Sequence, residues 1–189
     1  YLNEDCEVFY FRPHPTGGGS YANYQGDEFI VEGKYDFRYR LPHVPAGNYE
    51  IRFGYPKGYY RGVCQFYVDG KIAGIPVDLR WNADTDVIIG WVSDEGLSED
   101  EIKENDKAMR NRGYMKGIDS YRQYDSENTF RTNSNNLRRI LVTTYLEENK
   151  TYKLRLRQVL DDPECYLSFD FIELCPKSVY ASPEGEDTH

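Results

Sequence analysis

The chain has 189 residues, 39% of them hydrophobic, with 18 tyrosines and a formal net charge of −9. That length supports one domain with a core of its own and leaves little room for a second. The acidic field repels a phosphate backbone unless a strong local basic patch offsets it, so no nucleic-acid partner is expected, and no apolar run approaches the ~20 residues that span a bilayer, so this segment is not expected to insert into a membrane.

The sequence begins at Tyr1 with neither an initiator Met nor a signal peptide, so it reads as a processed piece of a longer protein. Glu7 to Arg12 form the first predicted strand, followed by a link rich in Pro and Gly from Pro13 to Ser20, and Phe29 to Glu32 start the sheet proper. Tyr35, Phe37, Tyr39 and Leu41 then alternate with Asp36, Arg38 and Arg40. After the Pro45-Ala46-Gly47 turn, Tyr49, Ile51 and Phe53 alternate with Glu50 and Arg52. A period of two gives each strand one buried and one solvated face, and it predicts that the odd-numbered set from Tyr35 to Phe53 is buried, Tyr39 included. Cys64, Phe66 and Val68 lead into Asp69-Gly70, the dipeptide of a type I′ turn, with Lys71 to Leu79 as the return arm.

The alternation lapses over an insertion, residues 80–138. Within it Ser98 to Glu101 form a capping box, and Leu97 is placed to staple Ile102. A surface helix near 99–112 follows, with an acidic start, basic residues at its end and Gly113 as its stop. The basic clusters visible along the chain are Arg110, Arg112 and Lys116, and Arg138-Arg139. Strands resume at Arg139 to Tyr145 and at Tyr152 to Val159, and the last runs from Cys165 to Leu174. Eight or nine strands punctuated by Gly and Pro turns make an all-β protein, an antiparallel β-sandwich or jelly roll spanning residues 1–180, with 181–189 as a flexible tail.

The four cysteines, Cys6, Cys64, Cys165 and Cys175, match no zinc spacing and leave two readings open, two disulfides or buried thiols. His14, His43 and His189 are isolated, and no nucleophile elbow, zinc helix or phosphate loop is present, so no catalytic activity is expected. Asp84, Asp86, Asp161 and Asp162 offer hard oxygen ligands for calcium, but they lack the spacing of an EF-hand loop and read better as solvated acids. Asn149-Lys150-Thr151 is a formal glycosylation sequon that reads as turn chemistry.

Binding has more support. Tyr55 to Gly62 is a turn carrying two adjacent aromatics, Tyr59 and Tyr60, beside Arg61. Trp81 leaves a strand end next to Asn82 and Asp84. Aromatic faces stack on the C–H faces of sugars while amides, carboxylates and guanidinium groups bond the hydroxyls, so these six residues form the candidate glycan site. Trp81 and Trp91 have packing in the core as their competing role.

Leu41-Pro42 with Ala46-Gly47-Asn48-Tyr49, then Val68 to Lys71, Lys150 to Leu156 and Phe169 to Leu174, resembles galactose-binding-like jelly rolls, a fold shared by many carbohydrate-binding modules. Asp106 to Gly117, with Pro176 to Tyr180, is similar to C-terminal domains that accompany fasciclin-like domains in surface lipoproteins of gut anaerobic Gram-negative bacteria. The first resemblance implies a non-catalytic carbohydrate-binding module and a structural calcium between first and last strands, for which Glu7 and Asp170 are the positional candidates. The second implies a place at the cell surface or outer membrane through an upstream lipid anchor. With it comes an alternative role, structural or adhesive, in which the insertion docks on a partner protein.

Overall fold

The computed structural model describes residues 6–13, 27–80, 82–117, 131 and 134–181, and for 6–13, 27 and 28 the backbone alone. The protein is an all-β sandwich of antiparallel sheets. One three-stranded sheet has the order β1 (Cys6–Pro13), β2 (Asp27–Gly33), β11 (Tyr166–Phe169). A four-stranded sheet has the order β12 (Phe171–Pro176), β4 (Gly47–Pro56), β9 (Asn136–Leu146), β8 (Tyr114–Lys116). Strands β11 and β12 are one stretch of chain bent at Asp170, whose amide donates to the Gly54 carbonyl at 2.9 Å. The expected single strand from Cys165 to Leu174 thus changes sheets midway. The third sheet runs β3 (Asp36–Arg40), β10 (Lys153–Gln158), β5 (Val63–Val68), β6 (Lys71–Ile72), with β7 (Val77–Asp78) also pairing with β5. Phe53 of β4 meets Phe66 of β5 edge-on at 4.8 Å and Phe169 at 5.1 Å, which seals the core between the layers.

Local chemistry accounts for the turns. Asp69 and Gly70 have φ of 46° and 79°, as a type I′ hairpin requires. Gly74, at φ 69°, faces the Leu141 carbonyl, which an added Cβ would approach to 2.8 Å. Leu141 is the extra residue of a bulge in β9, since Ile51 pairs with Val142 and Arg52 with Ile140.

Two sequence expectations need correction. Tyr39 is 46% exposed although Tyr35, Phe37, Leu41, Tyr49, Ile51 and Phe53 are buried as expected. It sits near the end of β3, an edge strand, where the opposing layer gives it little cover. Glu50 and Arg52, on the even-numbered face of β4, are also not solvated. Arg52 is fully buried, its Nε and Nη2 donating to Glu50 at 2.9 and 2.6 Å, and Arg110 donates to both Glu50 oxygens at 2.7 and 2.9 Å.

Arg110 belongs to α2 (Glu99–Asn111), which follows the short α1 (Thr85–Ile89); a last turn, α3, spans Lys177–Tyr180. Ser98 caps α2 through the expected reciprocal box with Glu101, and Gly113 follows at φ 81°. Past that glycine the insertion rejoins the sheet as β8, pairing with Arg138, Arg139 and Leu137 of β9. A ring of four charges, with Asp94, Lys116 and Arg131 buried and Asp106 largely covered, fixes it there. Asp94 joins Lys116 to Arg131, and Asp106 joins the same two cations, with Lys116 Nζ at 3.3 Å and Arg131 at 2.5 Å. Lys116 also lies 5.4 Å from the centre of the Trp91 ring.

Candidate functional site

The turn after β4 is built on two buried cations. The Lys57 side chain is almost wholly enclosed and donates to Asp86 of α1 at 2.6 Å and to Ser134 at 3.2 Å, while Ser134 donates to the other Asp86 oxygen at 2.9 Å. Arg61 is 1% exposed and lies 4.4 Å over the Tyr166 ring. Between them Arg61 N–H donates to the Gly58 carbonyl at 3.2 Å, closing a tight turn with Tyr59 and Tyr60 at its centre. The Tyr60 carbonyl is held in turn by the Tyr166 amide at 3.0 Å. The two rings are left in solvent, 73% and 66% exposed.

Backbone bonding sets the second segment beside this turn. Gly58 bridges Arg80, its amide reaching the Leu79 carbonyl at 3.4 Å, and the Leu79 amide reaches the Gly62 carbonyl at 3.1 Å. Arg80 makes a forked pair with Asp78 at 2.8 and 2.7 Å, which draws the Asp78 carboxyl below the usual range despite partial burial. Asn82 and Asp84 are exposed; the Asn82 amide donates to Thr85 Oγ1 at 3.0 Å, and Asp84 precedes α1 without capping it through its side chain.

The structure therefore brings Tyr59, Tyr60, Asn82 and Asp84 to one end of the sandwich. Trp81 lies outside the described residues. Arg61 is a correction: it was expected to bond a ligand, but it is the buried support of the turn, stacked on Tyr166. The contacts of Lys57 with Asp86 and Ser134 escaped sequence reading because 29 and 77 residues separate those partners from it.

The metal candidates are not brought together. Glu7 pairs with Glu32 and Glu32 with Tyr166, so Glu7 stands two strands from β11, about 10 Å, at the level of Tyr166. Asp170 lies four residues further along, about 13 Å, whereas calcium ligands lie at about 2.3–2.6 Å from the ion. Among the loop acids, Asp86 is engaged by Lys57 and Asp161 by Lys34 at 2.5 Å. No group of three or more metal-ligating side chains occurs among the described residues.

Of the two cysteine readings the structure has free thiols at Cys64, Cys165 and Cys175, all buried; the Cys6 side chain is outside the described residues. Burial pushes the Cys64 thiol up to about 12 and, with Asp162 beside it, Cys165 up to about 11. Both thiols therefore stay protonated near neutral pH. His43, exposed, faces Thr151 Oγ1 at 3.0 Å; His14 and His189 lie outside the described residues.

No protein-family model matches the chain, and no curated protein matches its sequence. Among solved structures, a Paenibacillus xanthan lyase is similar over 82% of this chain, with 11% identity and a TM-score of 0.49. The chain spans 11% of that protein's length, and a likeness of this degree assigns neither a family nor an activity.

Proposed function

We propose that this domain is a non-catalytic binding module of a cell-surface protein and that it recognises a glycan through the Tyr59–Tyr60 turn. The observation that carries the reading is two adjacent tyrosine rings in solvent on a turn whose flanking residues, Lys57 and Arg61, are locked by buried contacts. Rings held on a fixed base have less conformational freedom to lose on binding, so their contact area converts more fully into affinity. Asn82 and Asp84 supply polar groups beside them, and the surface location rests on the resemblance to anchored envelope proteins. Replacing both rings, Tyr59→Ala/Tyr60→Ala, is expected to weaken binding of neutral oligosaccharides about tenfold or more while moving the melting temperature little, because exposed rings contribute little to the core. Failure of the parent chain to bind any member of a broad neutral glycan array would end this reading.

A second reading, docking on a partner protein, is favoured by one observation. Val87 and Ile88 of α1 are 78% and 69% exposed, and α1 is tied to the same end of the molecule through Asp86 and Lys57. In that case Val87→Ser/Ile88→Ser abolishes association with the partner and leaves glycan titration unchanged.

A further inference from the structure

In a chain with net charge −9, the outer face of the sheet carrying β3 and β10 is strongly basic. Register places Arg40 directly opposite Lys153, Arg38 opposite Arg155, and Asp36 opposite Arg157. Directly opposed residues project from the same face, about 5 Å apart, and successive rows lie about 7 Å apart along the strands. Leu154 and Leu156, the alternate residues of β10, are fully buried, which fixes the cationic set on the outside. Arg38, Arg40, Lys153 and Arg157 are exposed. Asp36 is the one carboxylate in these two columns, and it is committed to Arg155, which also lies 5.2 Å from the Tyr67 ring of β5. The face went unseen in the sequence because its cations occur at every second position of two strands more than a hundred residues apart, so no contiguous cluster marks it.

Like charges directly opposite one another work against the folded sheet. Two such pairs stand side by side here, offset by Asp36 and, beside Lys153, by Asp69, whose carboxylate accepts from the Lys153 amide at 2.9 Å. We propose that this face binds a polysaccharide bearing carboxylate or sulfate groups. Guanidinium groups pair with such planar or tetrahedral oxyanions through two parallel hydrogen bonds, and an open ladder of them suits a linear chain with spaced charges. A protein partner fits less well, since the β3 and β10 columns carry only charged side chains on this face, and the exposed Ile72 lies two strands away at the sheet edge. A duplex fits less well too, because its phosphates, one charge per about 1.7 Å, run on well past a patch roughly 13 Å long. The face is distinct from the end that carries Tyr59 and Tyr60, and the proposal does not depend on the function assigned to that turn.

The test is calorimetric titration of the full 189-residue chain with polygalacturonate, dextran sulfate, neutral dextran and a duplex oligonucleotide, at low salt and at physiological ionic strength. Binding of one or both anionic polysaccharides is expected, weakening as salt rises, with none to neutral dextran. Arg38→Gln/Arg40→Gln/Lys153→Gln should weaken it about tenfold or more and should melt no lower than the parent, since repulsion is relieved. Lys153→Glu provides a single-site check if the triple variant expresses poorly, and it too should lose binding. Tyr59→Ala/Tyr60→Ala should bind the polyanion unchanged, which separates this face from the turn. The proposal is overturned by the absence of binding to either polyanion or by equal binding of neutral dextran. Undiminished binding by the face variants, loss in the tyrosine variant, or tighter binding of the oligonucleotide at equal charge concentration would overturn it as well.

Discussion

Lys57 and Arg61 are cations held out of water on either side of two tyrosines held in it, and that inversion follows from what each side chain can find nearby. Lys57 has a carboxylate and a hydroxyl within reach, and Arg61 has a ring to lie on, so both can be enclosed. The same reasoning separates residues that alternation alone treats alike. Ile51 is fully buried between the layers, whereas Tyr39 is 46% exposed at the sheet edge. Ile51→Asp places an unpaired carboxylate in apolar surroundings and is expected to unfold the domain. Tyr39→Asp keeps its carboxylate in water, beside Arg38 and Arg40 in the chain, and should shift the melting temperature by only a few degrees. Thermal denaturation of the two variants checks the distinction, and equal collapse of both would show that Tyr39 belongs to the core after all.

At the scale of elements, what was legible in the sequence was whatever neighbouring residues decide. The Asp69-Gly70 hairpin, the capping box at Ser98 and the inward set of β4 need only residues a few positions apart. The return of the insertion as β8 and the covering of Glu50 and Arg52 needed contacts across 22 and 60 residues, which no local period carries. A pattern of alternating charge says only that a face is polar; whether water or an ionic partner covers it is decided by Arg110 arriving from α2. The candidate site divides the same way, for the exposed tyrosines were readable as a turn while the anchors that hold them were not. The ring of Asp94, Lys116, Asp106 and Arg131 is the element-scale device that pins the insertion. Removing one member leaves buried charge uncompensated, at a cost of about 3 kcal/mol or more. Asp94→Ala should therefore speed amide exchange in α2 and β8 while the ladder between β4 and β12 stays protected. Exchange in α2 as slow as in the parent would mean that Arg110 and Glu50 suffice to hold it.

Across the whole molecule, the bent strand β11–β12 joins two sheets edge to edge, and the third closes over them, so Tyr35 and Cys64 lie enclosed together, both almost without exposure. Burial raises the Tyr35 hydroxyl well above its usual value and takes the Cys64 thiol from its ordinary 9.0 to about 12. Unfolding releases both groups to water, where they ionise at their ordinary values, so above pH 9 the unfolded chain holds fewer protons than the native one. Stability contributed by the protonated thiol is complete below pH 9 and is lost as pH rises toward 12. For Cys64 alone the loss comes to roughly 1 kcal/mol at pH 10, one pH unit above the ordinary value. Urea denaturation of the parent and of Cys64→Ala between pH 7 and pH 10 isolates the contribution, because the packing change from the substitution is constant while the ionisation is not. The parent is expected to lose stability with rising pH more steeply than the variant, by about that amount at pH 10. Parallel curves would show that Cys64 ionises as readily in the native protein as in the unfolded chain, and hence that water reaches the space between the sheets.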